Sequence, residues 1–355
     1  MNHAPPTISA YAQRVLIAVS ITATVVVVLL LFWKAANVIL LVFAGVLFGI
    51  LLRGLAELLS EYTPLSGHWS LVAAILLLLV LFGGWALLLG PQMAEGVATL
   101  SESLPKSLER LQGYIKQSDW GRVMLARASS QAEQAQRSMS FISTQTLGRV
   151  LGIFSTALGA IIGMLFIIVV GIYLSIDPRV YVDGVVKLVP VRRRERVRAV
   201  MAQLGHTLRW WLVGRIAGMI VVGFLTWVGL LLLGVPLSFT LATLAAILDF
   251  VPNIGPIIAA VPAVLVALTE SPMTGLYVAL LYVAIQTLEG TLMTPLIEQR
   301  TVSLAPVLLL SAQLIMGVLF GVLGLLLATP FLVVLVIIIQ RLYIEDVLGD
   351  SVEQD

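Results

Sequence analysis

Ala245-Ala-Ile-Leu-Asp249-Phe-Val-Pro252-Asn253-Ile-Gly255-Pro256-Ile-Ile-Ala-Ala-Val-Pro262 and, one apolar run later, Gln286-Thr-Leu-Glu289-Gly290-Thr-Leu-Met-Thr294-Pro295 decide the fold. Their apolar majority belongs in lipid. Yet they hold two carboxylates, two amides and four prolines. A charge at the bilayer centre costs at least about 2.5–3.5 kcal/mol. A proline inside a helix costs roughly 3 kcal/mol, through a lost donor and a clash with the preceding turn. Backbone freed at that depth survives only inside protein or beside a wet cavity. Broken helices carrying buried polar groups are how transporters hold a solute near the midplane, and the stretch reads as a translocation site.

The rest of the chain supports a membrane setting. Of its 355 residues 59% are hydrophobic and 11% charged, against roughly 25% charged in soluble domains. Mean hydropathy is +1.04. Several apolar runs reach the ~20 residues that cross ~30 Å of hydrocarbon. The reading is an all-α polytopic membrane protein of about eight membrane helices or half-helices. Broken or re-entrant segments are expected near 249–262 and 317–330, with an amphipathic extramembrane helical segment at 91–149. Cysteine is absent, so thiol chemistry is excluded.

Residues 1–90 predict three membrane helices, Val15–Trp33, Asn37–Leu52 and Leu71–Leu89. A tight Trp33-Lys34 connection joins the first two, and Gly90-Pro91 ends the third. The first run is too long for a cleaved signal peptide. Within 91–149, Val97, Leu100, Leu104, Leu108, Leu111 and Ile115 repeat at helical spacing among charges. That segment lies on the membrane, on a neighbouring subunit, or as a hairpin on its own domain. Residues 150–340 form the transport core, and 341–355 an acidic tail.

Nine cations lie between Arg179 and Arg215, among them Arg192, Arg193, Arg194, Arg196 and Arg198, against Asp177, Asp183 and Glu195. Cytoplasmic loops collect Lys and Arg, so this basic loop, 177–211, is expected inside, with both termini inside and 91–149 outside. Net charge is only +2, and no nucleic-acid partner is expected. Leu237–Leu268 and Ala305–Ile339 are overlong and interrupted by Gly and Pro. Each predicts a kink or a re-entrant hairpin, and together they suggest the discontinuous pair of an inverted repeat.

Candidate substrate- or ion-binding residues are Asp249, Asn253, Gln286, Glu289 and Thr294. Asp249 either binds a proton, cation or solute, or caps the half-helix that follows. Gln286 and Glu289 share a helical face, turned to a cavity or to the interface. Asn253 binds solute or satisfies freed backbone. Pro252, Gly255, Pro256, Pro262 and Pro295 are helix-break residues. Gln313, inside the last apolar run, is suited to helix–helix hydrogen bonding. No phosphate-binding loop, metal-ligand spacing or nucleophilic triad is found, so neither enzyme nor cofactor is expected.

Asp249-Phe-Val-Pro-Asn-Ile-Gly-Pro followed by Val261-Pro262-Ala263, Gln286-x-x-Glu289-Gly-x-x-x-Thr-Pro295, and Gly317-x-x-x-Gly321-x-x-Gly324-x-x-x-Ala328-Thr-Pro330 together resemble the AI-2E (autoinducer-2 exporter) transporter family. The resemblance covers nearly the whole chain. It implies a bacterial inner-membrane protein that moves a small solute by secondary transport or facilitated efflux, forming homo-oligomers in contact with lipid. Export of autoinducer-2, the quorum-sensing signal, and sodium–proton antiport are both associated with the family. A membrane scaffold working through 91–149 is the reading from another class.

Overall fold

The computed structural model describes residues 8–64, 68–117, 146–293, 295 and 304–350. These are helical almost throughout, with no strand among the described residues. Among the described residues, five helices are long and apolar enough to cross a bilayer, six if one bent pair counts as a span.

Helix α1 (Ile8–Tyr62) is unbroken, so the expected turn at Trp33-Lys34 is absent and the first two spans stack end to end. Its 55 residues make a rod of ~80 Å. Apolar residues on both sides of Lys34 favour the helix equally, and neither Gly nor Pro lies within ten residues of it. Helix α2 (His68–Gln117) likewise runs through Gly90-Pro91, which was expected to end it. An added Cβ at Gly90 would meet nothing, and Pro91 is exposed. No neighbouring element crowds the ring, and what Pro91 costs is local to its own helix, a lost hydrogen bond and a clash with the preceding turn. The far part of α2 packs on the bundle, with Leu100 in a core cluster beside Leu230 and Leu241. The expected segment 91–149 thus starts as a continuation of α2, and its part at 118–145 falls outside the described residues.

Helix α3 (Thr146–Ile176) lies parallel to α1. Gly45 meets Val170, Gly49 meets Gly171 and Leu174, and Arg53 reaches the Ser175 carbonyl. Small residues four apart let two backbones approach closely in lipid. At Asp177-Pro178 the chain bends by 87° into α4 (Pro178–Lys187), where proline suits a first helical turn. Most of the basic loop is then helix: α5 (Arg194–Leu232) carries the arginines and the next span in one piece. Arg198 pairs with Asp183 on α4 at 2.6 Å, and Arg194 Nε donates to the Val189 carbonyl. Arg196 binds Asp346 at 3.0 Å, which ties the C-terminal segment to the basic end. Arg53 belongs to that same end, so an unbroken α1 directs residue 8 away from it.

After the Gly234 turn come two short apolar helices, α6 (Ser238–Leu248) and α7 (Ile254–Glu270). At ~1.5 Å per residue neither alone crosses ~30 Å. They pack side by side, Leu241 and Ala245 sharing a cluster with Ala259, Ala263 and Val266. Across a five-residue gap, one continued helix could not do this. Of the two expected forms for 237–268, the hairpin is observed. Helix α8 (Pro272–Leu288) follows, its first turn capped by the Ser271 side chain, and ends in a π-helical turn, Glu289–Met293.

The last helix, α9 (Pro306–Ile338), is broken at Gly321, whose φ of 63° and ψ of −145° suit glycine alone. A Cβ on Gly324 would overlap the Met316 carbonyl, and one on Gly317 would touch Leu325. In a straight helix residues eight apart are ~12 Å apart, so α9 doubles back as a second hairpin. A π-helical segment, Ile339–Leu348, continues it.

Gly255 marks the tightest point of the first hairpin, where a Cβ would overlap the Leu248 carbonyl. Overpacking against backbone costs about 1–3 kcal/mol. Gly255→Ala is expected to lower the melting temperature of detergent-purified protein by several degrees, and Gly90→Ala to leave it unchanged. Equal melting of the two variants would contradict this packing.

Candidate functional site: an arginine between two carboxylates

The first hairpin's break is held from three sides. Trp211 of α5 meets the Phe250 ring edge-on, with centroids 5.9 Å apart. Gln313 of α9 donates from Nε2 to the Pro252 carbonyl at 3.0 Å. The third contact is ionic. Arg215 of α5 points Nη2 at Asp249 Oδ2, 3.1 Å away, and donates from Nη1 to Glu289 Oε1 at 3.0 Å. All three side chains are buried: Asp249 is 0% exposed, Arg215 6% and Glu289 8%.

Each position follows from local structure. Arg215 lies one turn beyond Trp211, on the face of α5 that packs inward. Gly218, one turn further on, presents no side chain to the Asp249 carboxylate. Asp249 terminates α6. The free carbonyls of a helix C-terminus carry partial negative charge, so α6 adds to the attraction for the guanidinium. Glu289 opens the π-helical turn ending α8, and such turns widen the backbone at functional sites. A guanidinium fork suits two carboxylates at once, and an ammonium would not.

One positive charge faces two carboxyl groups, which also interact with each other. Fully ionised, the cluster holds a surplus charge of −1. Burying an uncompensated charge costs several kcal/mol. A proton shared by the carboxyls, or a bound cation, removes the surplus. Arg215 Nε and Gln313 Oε1 are buried without a hydrogen-bond partner, so unused polarity remains near the break.

The expected residues are placed unevenly. Asp249 and Glu289 come together, and Gln286 Nε2 stands 3.4 Å from Glu289 Oε2. Asn253 is exposed and takes φ 65°, outside the cluster. It precedes α7 without capping it through its side chain, and Asp249 does not cap α7 either. Thr294 lies outside the described residues, and Pro295 is exposed. Pro252, Gly255 and Pro256 shape the break, and Pro262 sits inside α7. Arg215, counted above among the loop cations, is the residue that sequence reasoning misplaced. The available signal was its position within Leu212–Leu233, since an arginine inside a span is paired by default. No group of His, Cys, Asp and Glu suited to a metal is found among the described residues.

A multi-pass helical bundle with two hairpins and a buried ion triad at one break has the architecture of a membrane transporter. The sequence profile described as AI-2E family transporter matches residues 22–344, and the chain belongs to that family. Two Bacillus subtilis (strain 168) proteins are each 26% identical: YueF over 81% of this chain and 79% of its own length, YrrI over 86% of both. The Escherichia coli (strain K12) protein named AI-2 transport protein TqsA is 28% identical over 43% of each chain.

Removing one partner from a buried charge cluster costs about 3–5 kcal/mol, whereas removing all charges is often neutral. Arg215→Gln is therefore expected to melt well below the unmodified protein in detergent. Adding Asp249→Asn and Glu289→Gln to it should recover most of the loss. A triple variant no more stable than Arg215→Gln would contradict the triad.

Proposed function

We propose that this transporter exports a small polar solute, of the autoinducer-2 type, across the bacterial inner membrane by secondary transport, and that the Arg215–Asp249–Glu289 triad is its coupling site. The carrying observation is that one guanidinium joins three separate elements, α5, the break of the first hairpin and the end of α8. With Asp249 sealed from solvent, the arrangement corresponds to an occluded state. Movement of either hairpin against α5 would take a carboxylate off the guanidinium. The freed carboxylate then needs a new partner, either a proton, a cation or a donor group of the solute. Return of Arg215 displaces that partner. Binding and conformation are thereby linked through differential contacts, as alternating access requires.

We assign the basic end to the cytoplasm because of its arginines, and the Arg196–Asp346 ion pair supports putting the C-terminal segment on the same side. Homo-oligomers are compatible with the exposed apolar residues of α1, such as Leu16, Val25 and Val28.

Uptake of candidate solutes into everted membrane vesicles tests the reading. Asp249→Asn, Glu289→Gln and Arg215→Lys are each expected to cut uptake at least about tenfold with the protein still present in the membrane. That corresponds to ~1.4 kcal/mol of transition-state stabilisation. Uptake untouched by all three would overturn the assignment. The surplus carboxylate favours a second reading, cation–proton antiport. It predicts sodium-driven proton movement in the same vesicles that is abolished in Asp249→Asn/Glu289→Gln. Persistence of that movement in the double variant would remove it.

A further inference from the structure

A cavity of about 690 Å³ lies away from the triad, where α1, the α3–α4 elbow, α5 and α9 meet at the basic end. Its walls are mostly apolar, with Phe43, Val46, Ile50, Leu174, Val334 and Ile338 among them. Its polar groups gather at one end. Arg209 donates to Glu57 and to the Gly54 carbonyl, and Arg53 lies 3.6 Å from the same carboxylate. His206 stands beside them. Two guanidinium groups thus share one carboxylate, which leaves a surplus of one positive charge. Arg53 and Glu57 are about half exposed, so the surplus faces outward.

We infer that this cavity binds an anionic glycerophospholipid, its phosphate on Arg53 and Arg209 and one acyl chain along the apolar wall. Dimensions support the assignment. From Arg53 to Phe43 the α1 wall rises ten residues, ~15 Å, which is half of the ~30 Å hydrocarbon thickness. The cavity therefore reaches from the headgroup level to the midplane, the depth of one leaflet. The elbow helix α4 sets that level. It turns 87° from α3, lines the cavity with Tyr181, Val182 and Val185, and exposes Val180 and, at its C-cap, Leu188, as a helix lying in the membrane surface does. A small polar solute would leave these apolar walls without partners and its own groups unpaired. A zwitterionic headgroup would not use the surplus charge. Basic pockets between membrane helices at the leaflet surface have the chemistry that holds anionic lipid headgroups.

The test titrates full-length protein in neutral detergent with phosphatidylglycerol, phosphatidylcholine or glycerol phosphate, following melting temperature and native mass. Phosphatidylglycerol is expected to bind roughly tenfold or more tighter than phosphatidylcholine, since each basic residue near the surface contributes on the order of a few-fold. Arg53→Gln/Arg209→Gln should erase the preference. Because that variant leaves Glu57 unpaired, a second one tests the wall. An added Cβ at Gly205 meets nothing within 4 Å and Gly205 lines the cavity, so Gly205→Leu should fill the space and weaken phosphatidylglycerol binding with the ion pairs intact. Equal binding of the two lipids, glycerol phosphate binding as tightly as the lipid, or unchanged binding in Gly205→Leu would each overturn the inference.

Discussion

A guanidinium placed in hydrocarbon must be met by negative charge, and in this protein that requirement organises the core. Arg215 takes one carboxylate from the break of a hairpin and another from the end of a separate helix. Neither α6 nor α7 is long enough to hold a fixed depth by its own apolar surface. Their junction is pinned by the ion pair, by Trp211 against Phe250 and by Gln313 on the Pro252 carbonyl. The contact that fixes the fold there is also the one whose exchange would release it.

The two hairpins differ in how the reversal is made. In the first, Asn253 takes a positive φ after Pro252, and Gly255 allows helix to begin against the Leu248 carbonyl. In the second, Gly321 turns the chain and Gly324 allows the arms to touch. The Gln313–Pro252 hydrogen bond joins one hairpin to the other at the break that carries Asp249. Such linked, discontinuous elements suit a protein that must exchange access between two faces.

Much of this was legible in the sequence, because lipid penalises exceptions so heavily. Prolines beside a carboxylate in an apolar run announced the break at 249–256, and an overlong run with Gly321 and Gly324 announced the second. What the sequence did not give was partnership. Asp249 and Glu289 are forty residues apart, and Arg215 lies 34 residues before the first and 74 before the second. Periodicity says which residues share a helix face and nothing about which helices meet. Arg215 was concealed by its neighbours, since it follows a basic stretch, Arg192 to Arg198, that reads as topogenic and ends before the span begins. The turns expected at Trp33-Lys34 and Gly90-Pro91 failed for a related reason. One lysine in an apolar run does not oblige a helix to end, and one proline costs a helix a hydrogen bond without necessarily stopping it.

Because the chain has no cysteine, a thiol pair can report on the central contact without background. Gly218→Cys/Asp249→Cys, oxidised in native membranes, is predicted to form an intramolecular cross-link, since the Asp249 carboxylate lies 3.9 Å from a Cβ placed at 218. The Gly223→Cys/Ala246→Cys pair, at a position where α5 and α6 pack closely, serves as the reference. Cross-linking of the reference pair without any at 218 and 249 would contradict the placement of Asp249 against α5, and with it the triad.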